Sequence, residues 1–166
     1  MIDIAPEHIH PLLVHFPVAL WPTAFVLYFL SYFPKLSKLR PSAVLVGLIG
    51  SALGYLAIET GEKAAKIVGD SICDNKLLFE HGDQTQTAFI ILSVTWGLIF
   101  IYDIVLRQVL KRAMLANWPG ILFILGLVLG NTFLVVSAHK GFRLVYFQQA
   151  AIQREVPECK IKAKNQ

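Results

Sequence analysis

The chain has 166 residues, enough for one ordinary domain, and its 15 Lys and Arg against 11 Asp and Glu give a formal net charge of +4. It is 55% hydrophobic and only 16% charged, with a mean hydropathy of +0.59. Soluble domains run nearer a quarter charged, so the composition argues against a soluble enzyme and points to the lipid bilayer.

The first apolar stretch, residues 12–33, opens on "HPLLVHFPVAL" (residues 10–20), in which two histidines and two prolines interrupt an otherwise apolar run. The residues before it carry Asp3 and Glu7 but no Lys or Arg, whereas a cleavable signal begins basic, so this stretch is expected to be retained. The connection 34–40 holds Lys35, Lys38 and Arg40 and no acid. The second stretch, residues 41–58, is short for a bilayer, which needs about 20 apolar residues, and is predicted to continue helically past Glu59. The third, residues 87–106, has one charge, Asp103, with Arg107 four residues on at the spacing of a helical ion pair. The connection 107–118 again holds only bases, Arg107, Lys111 and Arg112. The fourth stretch is residues 119–138.

A soluble helical bundle would show polar helix faces, which these stretches lack. The predicted fold is all-α, an integral membrane four-helix transmembrane bundle over residues 1–152 with a polar basic tail over 153–166. No internal repeat beyond the four spans, no low-complexity segment and no second domain is evident. Positive charge in short loops stays cytoplasmic. Both basic connections then face the cytoplasm, and both termini face the periplasm of a bacterial inner membrane. The tail opposes this, with six bases after Ala138 (Lys140, Arg143, Arg154, Lys160, Lys162, Lys164) against Glu155 and Glu158. Cys73 and Cys159 fall on the periplasmic side, where disulfides persist, and a Cys73–Cys159 bridge is expected, with two unrelated thiols as the alternative.

Threaded through this topology, His8, His10, His15, His81 and His139 all fall at one membrane face. His15 lies inside a span, where an ionisable side chain is costly and usually functional. His8, furthest out, is the expected bystander. Histidines from several helices suit a b-type haem, whose iron is commonly held by axial histidines. His10 and His15 are five residues apart, which turns them about 140° from one another on an ideal helix. That suits two separate sites. With spans one and three diagonal, His15 would pair with His81 and His10 with His139, or the reverse. Gly47, Gly50, Gly54 and Gly61 near span two, and Gly126 and Gly130 in span four, leave room for a haem or simply for close helix packing. Zinc or copper held by histidine with Glu59, Glu62 or Glu80 competes, although no CxxC or HExxH spacing supports it. No P-loop, dinucleotide fingerprint or nucleophile motif is present. Bases interleaved with aromatics over residues 141–147 look interfacial, and nucleic acid is not an expected partner.

"HPLLVHFP" (residues 10–17) and "AHKGFRLVY" (residues 138–146), with four spans between them, make the chain resemble a family of predicted bacterial membrane proteins, domain of unknown function 2231. The resemblance covers the chain to about Ile152. It implies functional weight for His10, Pro11, His15, Pro17, His81 and His139 and for Leu144, Val145 and Tyr146. Phe142 stands where the family tends to have a second glycine, and Gln148 and Gln149 where it often has an acid and a histidine. Some members are joined to cytochrome-c-like domains, which favours a redox role by association.

The expected function is therefore a small membrane cytochrome b with one or two haems b near the periplasmic face, bound through His10, His15, His81 and His139. It would pass electrons between a quinol and a periplasmic redox protein. A haem-free metal or proton site in a small transporter, and a structural accessory subunit of a respiratory complex, are the alternatives. The orientation is testable: a C-terminal reporter active only in the cytoplasm should stay silent, and an active one would reverse the topology.

Overall fold

The computed structural model describes residues 6–69, 72, 75–109 and 119–148. It contains four long helices, α1 (Pro6–Leu30), α2 (Leu39–Val68), α3 (Asn75–Ile99) and α4 (Pro119–Gln148). A 3-10 turn, Pro34–Leu36, joins α1 to α2, and α3 runs on with wider, π-helical winding over Phe100–Val109. All four helices are long and apolar enough to cross a membrane. Pro119 opens α4, where the missing N–H of proline costs no helical bond. Pro11, Pro17 and Pro22 lie inside α1, and each leaves the carbonyl four residues earlier without its usual donor.

The helices extend beyond the apolar stretches. α2 continues to Val68, α3 begins at Asn75 within the polar connection, and α4 runs ten residues past Ala138. His81 and His139 consequently lie on helices, not in flanking loops. α1 packs on α2 and α4, and α3 packs on α2 and α4, so the bundle is an up-down ring with α1 and α3 diagonal.

The outer surface is apolar throughout the spans. Leu45, Ile49 and Leu56 of α2, Ile90, Val94 and Leu98 of α3, and Ile121, Leu125 and Val135 of α4 are all exposed. A soluble bundle would invert this pattern.

Inside, Trp21, Ala24, Tyr28, Val44, Leu92, Trp96, Ile99 and Leu127 form one core. The glycine stripe of α2 receives the indoles. Gly47 lies directly under the Trp96 ring, and a Cβ on Gly50 or Gly54 would come within 2.9 or 2.7 Å of Trp21. Gly126 and Gly130 of α4 accommodate Thr95 and Leu92 of α3 in the same way. These glycines are packing positions filled by protein side chains.

At the end of the bundle away from the histidines, Asp103 is 2% exposed. Its Oδ2 accepts a hydrogen bond from Tyr28 Oη at 2.9 Å, and Arg40 Nη1 lies 3.5 Å from Oδ1. Arg40 also donates through Nε to Ser31 Oγ and sits over the Tyr28 and Tyr32 rings, 5.6 and 4.7 Å from their centroids. The helical spacing had suggested Arg107 as the partner of Asp103. The cation seen beside Asp103 is Arg40, from a different helix; the Arg107 side chain lies outside the described residues.

Because Trp96 is fully buried, a methyl at Gly47 forces the indole to move. Gly47→Ala should destabilise the protein by about 1–3 kcal/mol. Gly97→Ala, whose methyl meets nothing within 4 Å, should leave stability equal or slightly higher. Thermal unfolding in detergent measures both, and an unaffected Gly47 variant would contradict the packing.

Candidate functional site

His10 of α1 and His81 of α3 face each other across the bundle, with ring centroids 6.4 Å apart and planes inclined at 72°. Each is tied to the helix that follows its own. His10 Nδ1 lies 2.8 Å from the Ala57 carbonyl oxygen of α2, and His81 Nδ1 lies 2.9 Å from the Ser137 carbonyl oxygen of α4. A carbonyl oxygen can only accept, so both Nδ1 atoms carry the proton. In the neutral rings both Nε2 atoms therefore keep a lone pair, the form in which histidine binds metals.

Glycine lets each ring lie against the helix that holds it. A Cβ on Gly61 would come 2.9 Å from His10 Cε1 and Nδ1, and one on Gly141 would come 3.0 Å from His81 Cε1. Each glycine sits one helical turn past its acceptor, in "AIETG" (residues 57–61) and "SAHKG" (residues 137–141).

The two hairpins thus repeat one arrangement. Shifting α1 by 71 residues, the separation of His10 and His81, sets buried Pro17, Trp21, Ala24 and Tyr28 on buried Ala88, Leu92, Thr95 and Ile99. Shifting α2 by 80 residues, the separation of Ala57 and Ser137, sets buried Gly50, Gly54 and Ala64 on buried Gly130, Leu134 and Leu144. The two shifts differ, and few of the matched residues are identical. That hides the repeat from a reading of the sequence alone.

The halves differ in chemistry. Thr85 Oγ1 donates to the His81 carbonyl at 2.8 Å, and the Thr85 and Ser137 hydroxyls are hydrogen-bonded to each other. With the Thr85 proton used, Ser137 donates to Thr85, and the Ser137 Oγ lone pair faces His81 Nδ1–H at 3.2 Å. In the first hairpin the equivalent positions are Val14 and Ala57, which carry no hydroxyl.

His15 and His139 are both exposed on the outside of the bundle, as is His8. Of the two pairings left open, the structure brings together His10 and His81, a pair of the reverse one; it does not bring together His15 with His81 or His10 with His139. The diagonal arrangement of α1 and α3 holds, but His10 is the α1 histidine on the inner side. Because α3 starts at Asn75, His81 sits at the same level. Glu80 pairs with Lys140 at 2.6 Å and more loosely with Lys76 at 3.9 Å. Among the described residues no group of three or more His, Cys, Asp or Glu comes together. Cys73 and Cys159 lie outside the described residues. Sequence reasoning missed Thr85, Ser137 and Gly141; the small-x-x-x-Gly pattern shared by residues 57–61 and 137–141 was the available signal.

The family model of the predicted membrane proteins DUF2231 matches residues 6–154, and the chain belongs to that family. No curated protein and no solved structure matches it.

The carbonyl partners predict a tautomer. Nitrogen NMR of histidine-labelled protein should show His10 and His81 protonated at Nδ1. Protonation at Nε2 alone in either ring would rule out its carbonyl bond.

Proposed function

We propose that the chain is a small membrane-bound cytochrome b in which His10 and His81 would hold the iron of one haem b, near the periplasmic face. The observation that carries this reading is the 6.4 Å separation of the two ring centroids. Two imidazoles on opposite sides of one metal, with metal–nitrogen bonds of about 2.0–2.1 Å, place their centroids roughly 6 Å apart. The donor set agrees with it. Haem brings four nitrogens of its own, so two histidines complete the iron, whereas a structural zinc site takes four protein ligands. A hydrogen bond from Nδ1 to a carbonyl is the usual way to orient a histidine that binds through Nε2. Here they also hold the rings on diagonal helices, with Gly61 and Gly141 beside them.

Bound there, haem b would supply a one-electron couple. The protein's part would be to offer the two Nε2 lone pairs of His10 and His81 from diagonal helices and to surround them with apolar helix faces. A membrane quinol is the proposed donor and a periplasmic redox protein the proposed acceptor. With its histidine pair at one end, the bundle would exchange electrons at that face and not relay them across the bilayer. The reading uses a single haem, because His15 and His139 point outward.

Purified protein, loaded with haem where necessary, tests this by a pyridine haemochrome assay and electron paramagnetic resonance. About one haem b per chain, in low-spin form, is expected. His10→Ala and His81→Ala should each abolish the low-spin signal, and His15→Ala and His139→Ala should leave it. A wild-type protein that takes up no haem would refute the reading and favour a haem-free transporter or accessory subunit. A low-spin signal surviving both inner substitutions would refute the ligand assignment.

A further inference from the structure

The two histidines are held unequally, and three observations agree on which is held less firmly. The first is the hydroxyl circuit. His81 Nδ1–H faces both the carbonyl and the Oγ of Ser137, Ser137 donates to Thr85, and Thr85 donates back to the His81 carbonyl. Among the described residues His10 Nδ1 has one acceptor, the Ala57 carbonyl. The second is the backbone around each ring. Pro11 and Pro17 lie within seven residues of His10 and remove donors from the first turns of α1, whereas α3 contains no proline. The third is position. His10 lies four residues from the start of α1, while His81 lies six residues into α3 with Glu80 beside it clamped to Lys140.

We propose that His81 is the permanent ligand of the site and His10 the displaceable one, so that a small neutral ligand of the carbon monoxide class can take the His10 side. The inference rests on the haem reading above. The exchange replaces one iron–nitrogen bond by a bond to the incoming ligand and moves no electron. Two interactions on His81 oppose the same exchange there. Its ring is held by Ser137, whose hydroxyl Thr85 fixes in turn, and an Nδ1–H shared by two acceptors makes Nε2 the better donor.

The test has one arm without haem and one with it. In haem-free protein, the Nδ1–H of His10 should exchange with water about tenfold faster than that of His81, the effect of one additional hydrogen bond. Thr85→Val combined with Ser137→Ala, which removes hydroxyls with little change of volume, should close the gap. In haem-loaded, reduced protein, carbon monoxide should form an adduct with the wild type. His10→Ala should keep its haem and bind carbon monoxide more readily, while His81→Ala should lose its haem. Equal exchange rates in the first arm would overturn the inequality, and this arm does not require His81→Ala to fold. Loaded wild type that forms no adduct, or inner variants that lose haem alike, would overturn the exchange while leaving the haem reading intact. Failure of the wild type to bind any haem would remove the haem reading and the exchange with it, but not the unequal holding of the rings.

Discussion

An imidazole inside a bilayer-spanning bundle needs a hydrogen-bond partner, because an unsatisfied polar group in that surrounding costs several kcal/mol. Here the partner is the main chain of the neighbouring helix, Ala57 for His10 and Ser137 for His81. Much follows from that choice. A carbonyl accepts only, so the tautomer is fixed and Nε2 stays free. A ring that reaches a helical carbonyl must lie close to the helix, so Gly61 and Gly141 cannot carry a side chain without displacing it. The same bonds set the register of α1 on α2 and of α3 on α4. The pairing that orients the site therefore also holds each hairpin.

The opposite end of the bundle is built on different chemistry. Asp103, Arg40, Tyr28 and Ser31 join α1, the start of α2 and the end of α3 through charge, hydrogen bonds and ring stacking. Removing either member of a buried ion pair is costly because the other charge stays behind, so this cluster fixes the helix ends firmly. His10 and Tyr28 are 18 residues apart on α1, about 27 Å at 1.5 Å per residue. Between them lie Trp21, Leu92, Trp96 and Leu127, all at most 2% exposed. The two polar ends are thus insulated from one another by a packed core, and the histidine end is chemically self-contained.

Much of this was legible in the sequence. Apolar stretches of bilayer length identified the four helices, whereas their order around the ring comes from the packing of α1 and α3 on both α2 and α4. The expectation that histidines from different helices meet at one end is matched by His10 and His81. The choice among the histidines was not legible. His10 and His15 are both near the start of one helix, and which one faces inward depends on how α1 is rotated against α2. That rotation is set by Trp21 entering the Gly50–Gly54 groove, a contact between positions far apart in the chain. "HGDQTQ" (residues 81–86), ahead of the third apolar stretch, reads as polar connection. It is helical because Gln84 and Thr85 turn toward the bundle. Beside Asp103 the structure adds a tertiary partner, Arg40, which no local spacing rule could supply.

The repeated hairpin explains why a site of this kind needs so few specialised residues. One two-helix unit that presents a histidine on its first helix and a small-x-x-x-Gly acceptor on its second makes half a site. Two such units, set face to face, bring their histidines together. Repetition by itself would make the halves equivalent. Divergence at two positions, Val14 against Thr85 and Ala57 against Ser137, leaves the packing in place because each pair differs little in volume. It places hydroxyls on one ring only. The shared scaffold thus sets where the two rings stand, and those two substitutions set how differently they behave.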